Sequence, residues 1–363
     1  MGIEDRIKTF VATLAEISVH SSTAQDRPLR WFIIVNPKAG GFTIPSRWNR
    51  HRSALNKALV KARTNPLGDA GPCGFAGEQG VVLTKGRGHA GKEVKDFLDA
   101  LSETPQKGEA FYLIIAAGGD GTSREILNAL YAGTPESRSQ CGVLRLPLGT
   151  GNDGADAWEL DAALDLLIRP SKVVLSRALR LTTAAGKGRF YAFNILSVGI
   201  DAFVTHMTNK MKGNLPGDSY KLWVDIGALF YDRLYQVGPI RVQAFDEAGN
   251  PVKSFRETLL LLAMGVSGHR TYGSHKRILP DERNVCALKQ MSLLRKLTLK
   301  ELCNTGAHSA APESIMFNAH RIEVEAEYPI LAQMDGETLD LGPKDFPAVL
   351  ELTEPAIPIL VLC

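Results

Sequence analysis

The chain has 363 residues, which is enough for two domains that each bury a substantial core. Its 42 lysines and arginines against 39 aspartates and glutamates give a net charge of +3, too weak a field to argue for nucleic acid as a partner. The five cysteines lie far apart and include no C-x-x-C pair, which argues against a disulfide framework and against zinc. A reducing cytoplasmic setting fits this composition best.

The N-terminal segment has the periodicity of an amphipathic helix. Apolar side chains recur at helical spacing from Ile3 to Ile17, and a polar linker follows near Asp26. We expect residues 1–28 to form a helix and linker that dock on the core, with contact to lipid or a partner as the alternative. Charged residues interrupt this stretch, and no apolar run approaches the roughly 18 residues of a spanning helix, so we expect neither a signal peptide nor a transmembrane segment.

Strand-like and helix-like segments alternate over residues 29–168. The patterns predict strands at 30–35, 80–84, 111–117 and 143–146, and helices at 46–62 (capped by Ser46), 89–101, 123–130 and 157–167. Such alternation is typical of a parallel sheet covered by helices, with the ligand at the carboxyl ends of the strands.

Residues 169–354 have a different pattern of shorter β-rich segments. Strands are predicted at 173–183, 189–196, 240–245, 254–264, 321–326 and 348–352, which indicates a mostly antiparallel second domain. Residues 219–236 are the exception, because they carry a helical apolar stripe. Packing on the β-rich domain and lining a lipid entrance both remain open for that stripe.

Three glycine-containing turns follow strands of the first predicted sheet, at residues 36–41 (NPKAGG), 118–122 (GGDGT) and 147–153 (PLGTGND). Glycines let the backbone approach a ligand closely, and a helix N-terminus offers unpaired N–H groups to an anion. Asp120 is out of place among such groups unless it handles Mg²⁺ or a proton. Three such turns on one sheet therefore indicate a phosphorylated ligand.

Two other glycine patterns point to different nucleotide folds. Residues 86–91 fit G-x-G-x-x-G after a strand, but no acid closes a second strand about 20 residues later, which disfavours hydride chemistry. No glycine-lysine pair continues as a Walker motif. A kinase built on this chain is therefore not a P-loop enzyme.

Together with a late Asp335-Gly336-Glu337, the three turns make the chain resemble the diacylglycerol kinase and sphingosine kinase family of lipid kinases, from about Trp31 to the C-terminus. The resemblance implies a three-layer α/β domain similar to phosphofructokinase and NAD kinase, a C-terminal β-sandwich, and an active site in the cleft between them. It implies that residues 29–168 bind ATP, that residues 355–363 return to this domain, and that residues 169–354 bind the lipid.

The resemblance also implies the residues of the site. ATP would be surrounded by Asn36, Pro37, Lys38, Ala39, Gly40, Thr84, Gly119, Asp120, Gly121, Thr122, Glu125 and Thr150. Asp120 would hold the catalytic Mg²⁺ at the phosphates. Phosphoryl transfer needs one group to accept the alcohol's proton, and this would be Glu337, with Asp335 as the nearby substitute. A surface Asp-Gly hairpin is the alternative explanation for residues 335–336.

The chain departs from the family at three places. Arg124 stands where Asn or His is usual, and Gly154-Ala155-Asp156 replaces a continuation that usually contains an aromatic residue. Asn284-Val285 stands where bacterial members carry an Asp-Gly pair whose acid supports a structural Mg²⁺, so we do not predict that metal.

The leading interpretation is an ATP-dependent lipid kinase that phosphorylates the hydroxyl of a diacylglycerol-like or sphingoid lipid at a membrane surface. A NAD kinase, which shares the GGDGT turn, is one alternative. A nucleotide-binding regulator that has lost catalysis is the other, and Arg124 and Asn284 motivate it. We expect a cytoplasmic protein, with peripheral membrane contact left open. The identity of the lipid and the oligomeric state, a homodimer included, also stay open.

Overall fold

The computed structural model describes residues 1–21, 28–65, 73–75, 80–103, 110–149, 151–211, 231–234, 237–273 and 276–363. Within them the α-helices are Ile3–Ser18 (α1), Gly40–Thr43 (α2), Pro45–Arg63 (α3), His89–Glu103 (α4), Asp120–Ala132 (α5), Pro135–Arg138 (α6), Leu160–Ile168 (α7), Ile200–Met211 (α8), Tyr231–Leu234 (α9) and Leu293–Thr305 (α10). Short 3-10 turns occupy Ala307–Ala310 and Pro343–Asp345.

The strands of the same residues are Leu29–Val35 (β1), Cys73–Phe75 (β2), Val81–Leu83 (β3), Phe111–Gly118 (β4), Cys141–Pro147 (β5), Ser171–Ser176 (β6), Leu179–Thr183 (β7), Phe190–Ala192 (β8), Ile195–Gly199 (β9), Pro239–Phe245 (β10), Pro251–Gly265 (β11), Arg270–Tyr272 (β12), Lys276–Leu279 (β13), Val285–Lys289 (β14), Ser314–Phe317 (β15), Arg321–Glu325 (β16), Ile330–Met334 (β17), Glu337–Leu341 (β18), Ala348–Leu352 (β19) and Ile357–Leu362 (β20). Contacts divide the chain into two compact units, Met1–Ser176 with Pro355–Cys363, and Arg177–Glu354.

The first unit is built on a sheet with the strand order β2-β1-β4-β5-β20-β6, in which β3 also pairs with β1. Its neighbouring strands are parallel except for β20 and β6, which are antiparallel. The predicted boundary at Ile168 falls before β6, and β6 belongs to this sheet. The final strand, β20, lies between β5 and β6 and so returns the last segment of the chain to the first unit.

Helices cover both faces of the first sheet, because its central strands are apolar on both sides. Trp31 and Ile33 of β1 face a core shared with α1, α3 and α7. Phe32, on the opposite face, stacks on Phe97 of α4 with ring centroids 4.5 Å apart. The mixed α/β class and the parallel sheet predicted from the alternating pattern are therefore confirmed.

The N-terminal helix α1 packs on this first core. Phe10 and Leu14 are fully buried, and Phe10 meets Phe42 edge to face at 5.3 Å. Docking of the helix on the core, as predicted, is thus confirmed. The predicted cap at Ser46 is wrong, because α3 already begins at Pro45, whose fixed φ and missing N–H suit the first position of a helix.

The second unit contains an antiparallel sheet with the order β18-β17-β9-β11-β10-β16-β19-β7-β8, to which β14 and β15 are added at β11. The first part of β11 pairs with β10, and its last part pairs with β9 and β14. Alternate side chains from both parts of the sheet share one core, among them Val242, Ile322, Val198 and Met264. The predicted antiparallel second region is confirmed.

Two predicted strands of the second region are each divided. The run at 173–183 forms β6 and β7, which belong to different sheets, and the run at 189–196 forms β8 and the start of β9. The apolar stripe at 219–236 lies outside the described residues except for α9. Among the described helices, none combines the length and the apolar character needed to cross a bilayer.

Candidate functional site

The three glycine turns meet at one edge of the first sheet. β1, β4 and β5 are parallel neighbours, so their carboxyl ends lie side by side. Hydrogen bonds join the turns directly: Asn36 Nδ2 donates to Thr122 Oγ1 at 3.2 Å, Gly41 N–H to Leu148 O at 2.8 Å, and Leu148 N–H to Gly118 O at 3.1 Å. Residues 36–41, 118–122 and 147–154 are called the turn cluster below.

The first turn of the cluster is shaped by Asn36. Its Oδ1 accepts the N–H of Lys38 at 3.0 Å, and its carbonyl oxygen accepts the N–H of Ala39 at 3.0 Å. An Asn side chain that bonds two residues ahead reproduces a backbone turn. The Lys38 side chain is exposed, and its ammonium pairs with no acid among the described residues. It is thus an exposed cation beside the sheet edge.

Two glycines shape the second and third turns. A Cβ added to Gly149 would lie 2.5 Å from the Gly119 Cα, so glycine here permits contact between the backbones of the two turns. A Cβ added to Gly118 would lie 2.6 Å from Thr122 Oγ1, so glycine here leaves room for a side chain of the same turn. The glycines of the predicted motifs therefore set the spacing of the turns, in addition to any approach to a ligand.

Asp120, the first residue of α5, is held by the loop that follows β5. Its Oδ2 accepts the N–H of Asn152 at 2.9 Å, and its Oδ1 accepts the N–H of Gly154 at 3.0 Å. Asn152 adopts a left-handed φ of 58°, and its own Oδ1 accepts the N–H of Gly149 at 2.7 Å. The two amides fix the orientation of the carboxylate before any ligand binds. The site prediction did not include these roles of Asn152 and Gly154.

The same edge carries hydrogen-bond donors that suit an anion. The N–H groups of Gly121 and Thr122, in the first turn of α5, donate to no acceptor among the described residues. Such open donors sit at the positive end of the helix dipole. With Lys38 they give the turn cluster the character of a phosphate site that has a carboxylate beside it.

The carboxylates around Gly151 fit a magnesium ion. A Cβ added to Gly151 would lie 2.7 Å from Asp120 Oδ2 and 3.5 Å from Asp153 Oδ2, so both acids flank this glycine. No cluster of three or more metal-binding side chains occurs in the part of the chain that is described. Mg²⁺ is commonly bound by one or two carboxylates, with phosphate oxygens and water completing its shell. The donor set therefore fits a metal that arrives with a nucleotide.

Glu125 bonds to the backbone at the start of α4. Its Oε1 accepts the N–H of Gly88 at 2.7 Å, and its Oε2 accepts the N–H of Ala90 at 3.1 Å. The carboxylate thus caps the start of α4, which explains the G-x-G-x-x-G pattern at residues 86–91 without a dinucleotide. Contact between Glu125 and ATP stays a prediction.

The remaining residues predicted to surround ATP are divided between the turn cluster and its surroundings. Thr84 donates its N–H to the Val35 carbonyl at 2.8 Å, which places it beside the end of β1. Pro37, Ala39 and Gly40 belong to the first turn. Thr150 lies outside the described residues.

In the second unit, Asp335 and Gly336 form the turn between β17 and β18. Both have positive φ, 46° and 92°, as a two-residue hairpin of the Asp-Gly type requires. The Asp335 carboxylate also accepts the backbone N–H groups of Phe193, Asn194 and Ile195, the last two at 3.1 Å. Residues 335–336 therefore form an Asp-Gly hairpin whose half-buried carboxylate is anchored to the backbone of residues 193–195, and a catalytic role for Asp335 stays a prediction.

Glu337 follows this turn at the start of β18, where it is half-buried and pairs with Met334 across the hairpin. The turn itself is fixed by Gln333, whose Oε1 accepts the N–H of Gly336 at 3.1 Å. Gln333 is fully buried and donates from Nε2 to Ser197 Oγ at 2.9 Å. A buried polar network thus determines the direction in which Glu337 leaves the turn.

Comparison with known proteins shows what the part of the chain that carries the turn cluster is similar to. Residues 30–181 match the family model of the diacylglycerol kinase catalytic domain. This part of the chain is therefore similar to the catalytic domain of diacylglycerol kinases. A probable lipid kinase, YegS-like, from Yersinia enterocolitica is 28% identical over 229 residues, covering 62% of this chain and 72% of that protein. A probable lipid kinase, YegS-like, from Yersinia pestis is 27% identical over 238 residues, which cover 62% of this chain and 72% of that protein.

Solved structures agree at the level of the fold. A diacylglycerol kinase from Bacillus anthracis has a TM-score of 0.52 at 15% identity, covering 92% of this chain and 96% of its own. A putative diacylglycerol kinase from the same organism has a TM-score of 0.56 at 17% identity, covering 92% and 94%. The predicted resemblance to this family is confirmed, and the family match and the YegS-like relatives support a lipid kinase.

The departure at Asn284 has a structural explanation within this kinase. The side chain is buried, accepts the N–H of Ala319 at 3.0 Å and donates to the carbonyl of the same residue at 2.9 Å. Nearby, Asp281 is bound by Arg283 through Nε at 2.9 Å, and hydrogen bonding from that side chain lowers the Asp281 pKa to about 2. The polar atoms of Asn284 and Asp281 are therefore used in protein contacts.

Arg124, the fifth residue of α5, is half-buried, and its carbonyl accepts a hydrogen bond from Asn128 Nδ2 at 2.9 Å. The third departure, Asp156, forms a buried ion pair with Arg145 of β5. Neither Arg145 nor this pairing was predicted from the sequence. A charged residue inside an apolar strand is the signal that could have indicated it, because a buried charge requires a partner.

Proposed function

We propose that this kinase transfers the γ-phosphate of ATP to the hydroxyl of a diacylglycerol-like or sphingoid lipid. The observation that carries the proposal is the junction of three turns at one sheet edge, where Asp120 is held by the N–H groups of Asn152 and Gly154. The match of residues 30–181 to the diacylglycerol kinase catalytic domain supports a lipid as acceptor.

The turn cluster would bind the nucleotide through its phosphates. The N–H groups of Gly121 and Thr122 and the ammonium of Lys38 are donors for phosphate oxygens, and the α5 dipole favours the negative charge there. Asp120, with Asp153 beside it, would hold Mg²⁺, which neutralises charge on the transferred group. Fixed donors and charges supply most of the catalysis in phosphoryl transfer, so a preoriented carboxylate suits this chemistry.

We assign proton removal to Glu337. The acceptor's O–H proton passes to the Glu337 carboxylate, the alcohol oxygen forms a bond to the γ-phosphorus, and the bond to the β-phosphate oxygen breaks to release ADP. Asp335 is a weaker candidate for this role, because three backbone N–H groups already occupy its carboxylate. We infer that Asp335 positions the turn from which Glu337 extends.

A panel of acceptors tests the proposal. The full chain is incubated with Mg²⁺ and γ-labelled ATP, and with diacylglycerol, a long-chain base or NAD, the lipids being presented in mixed micelles. We expect label on a lipid and none on NAD. Label on NAD would support the NAD kinase alternative. ATP binding without transfer to any alcohol would support a regulator that has lost catalysis, and either result would overturn the proposal.

A further inference from the structure

Arg145 is a charged residue in the middle of a buried strand. Its neighbours in β5, Leu144 and Leu146, are part of the first core. Its side chain is 8% exposed, and that of its partner Asp156 is 6% exposed. Burial of two charges is costly unless the pair is well formed, so the pair needs a physical explanation beyond chance.

The contact between these residues is extensive. Asp156 Oδ1 accepts Arg145 Nη2 at 2.6 Å and Nε at 3.1 Å, while Asp156 Oδ2 accepts the backbone N–H of Arg145 at 2.6 Å. The backbone N–H of Asp156 in turn donates to the Arg145 carbonyl at 3.2 Å. Side chain and backbone together fasten the end of the loop to the strand from which it came.

The loop fastened in this way is the one that holds Asp120. Its other end is fixed by Asn152, whose side chain bonds Gly149 and the carbonyl of Pro147. A Cβ added to Gly154 would lie 3.6 Å from Asp120 Oδ1 and 4.0 Å from Arg145 Nη1. The guanidinium therefore lies just across Gly154 from the Asp120 carboxylate.

We propose that Arg145 and Asp156 are positioning residues that hold residues 152–154 so that their two amides orient the Asp120 carboxylate. The pair anchors the end of this loop to the strand that precedes it. The expected effect of the pair on the binding of Mg²⁺ and ATP rests on the proposed function of Asp120. The anchoring of residues 152–154 does not depend on that function.

Hydrogen exchange in the protein without ligand tests the anchoring. Asp156→Asn keeps the size of the side chain but removes its charge. The matched control is Asp345→Asn, since Asp345 is 2% exposed and accepts Lys187 Nζ at 2.6 Å in the other unit. We expect amide exchange in residues 152–154 to rise about tenfold in Asp156→Asn and to stay unchanged in Asp345→Asn. Equal exchange in both variants would overturn the proposal.

The second readout is the dissociation constant for Mg²⁺ and ATP added together. We expect it to rise about tenfold in Asp156→Asn at a temperature where the variant is folded, and not in Asp345→Asn. An unchanged constant in a folded Asp156→Asn would contradict the link to Asp120. If the wild-type protein binds no ATP, the proposed function fails, whereas the exchange experiment still decides whether the pair anchors the loop.

A double variant separates positioning from simple stability. Arg145→Met with Asp156→Leu removes both charges, so no unpaired charge remains buried if Asp156→Asn proves unable to fold. We expect this variant to be folded, with fast exchange at residues 152–154. Slow exchange there would show that an apolar contact holds the loop equally well, and the proposal would fall. Arg145→Lys, which keeps the charge without the two-pronged contact, should be intermediate.

Discussion

Two Asp-Gly dipeptides, one from each unit, have different structural environments. Asp120-Gly121 begins helix α5, where two backbone amides hold the carboxylate and the following N–H groups stay open. Asp335-Gly336 forms a hairpin turn, where three amides hold the carboxylate and both residues have positive φ. Both acids are bound by backbone, but only the first is surrounded by open donors.

This difference assigns separate roles to two acids that look alike in the sequence. A carboxylate at a helix start, with open donors around it, can act on a bound phosphate or its metal. A carboxylate bound by three amides in a hairpin mainly holds backbone in place, and the acid that extends from that turn is Glu337. Substitutions at the two dipeptides should therefore change different measured quantities.

Glu337→Gln should have the largest effect on the reaction. Loss of a general base lowers turnover by about 100- to 10,000-fold. The dissociation constant for ATP should not change, because the proposed nucleotide site is formed by residues of the first unit. The measurement is kcat for lipid phosphorylation together with ATP binding by calorimetry. Turnover within a factor of about two of wild type would exclude Glu337 as the base. The Asp335 turn would then have no catalytic role through Glu337.

Asp120→Asn compared with Asp335→Asn tests the difference between the dipeptides directly. Asp120→Asn should lower kcat by about 100- to 1000-fold and weaken the dependence on Mg²⁺, because a fixed charge next to the phosphates is lost. Asp335→Asn should mainly lower the free energy of unfolding, by about 1–3 kcal/mol, because backbone N–H groups lose an anionic acceptor.

A surface variant of the same unit as Asp120 provides the control. Asp165→Asn removes an ion pair with Lys61 that is partly exposed to solvent, so both kcat and stability should stay near wild type. If Asp335→Asn reduced turnover as much as Asp120→Asn while remaining equally stable, the distinction between the two dipeptides would be wrong.

Much of the first unit could be predicted because its strands are uninterrupted apolar runs that end in glycine turns. Burial on both faces produces such runs, and parallel strands place the following turns at one edge. The run at 173–183 misled for a physical reason: it contains no Gly or Pro between Val173 and Thr183, although β6 and β7 separate at Arg177. Pairing partners, which the local pattern does not encode, decide that break.

The parts of the candidate site that lie within a sequence motif could be predicted. Contacts between residues of different elements could not. The turns containing Asn36 and Asp120 follow from glycine and strand patterns. The carboxylate of Glu125 meets residues 88–90, 35 or more positions earlier, and this contact depends on the packing of α4 against α5. Arg145 and Asp156 are only 11 positions apart, but their pairing depends on the reversal of the loop between them.

His51, which lies beside the turn cluster, makes the stability of the first unit depend on pH. The ring lies against Gly41, and burial, then Arg50 and Arg47, lower its pKa from 6.5 to about 4. Between pH 6.5 and 4 the unfolded chain therefore binds a proton at His51 that the folded chain does not. Stability from this residue is complete above pH 6.5 and is lost as the pH falls to 4, by up to about 3 kcal/mol.

Chemical unfolding of the wild type and of His51→Asn at pH 7, 5.5 and 4 measures this contribution. The free energy of unfolding of the wild type, minus that of His51→Asn, should become smaller as the pH falls from 7 to 4. Parallel curves would mean that His51 has the same proton affinity in the folded and unfolded chains. The surroundings of His51 would then be more accessible to water than its packing against Gly41 indicates.

The smallest expected effects have opposite signs at the two glycines of the dipeptides. Gly336→Ala should destabilise by about 1–2 kcal/mol, because a residue with a Cβ resists its φ of 92°. Gly121 lies in the first turn of α5 with nothing within 4 Å of an added Cβ, so Gly121→Ala should stabilise by up to about 1 kcal/mol. Thermal unfolding measures both.

The same two variants test phosphate binding. If the open N–H groups of Gly121 and Thr122 bind phosphate, Gly121→Ala should raise KM for ATP, because the methyl group hinders the approach of the phosphate. Gly336→Ala should leave that KM unchanged. A destabilised Gly121→Ala with normal KM would show that the first dipeptide, like the second, is a turn built only for the fold.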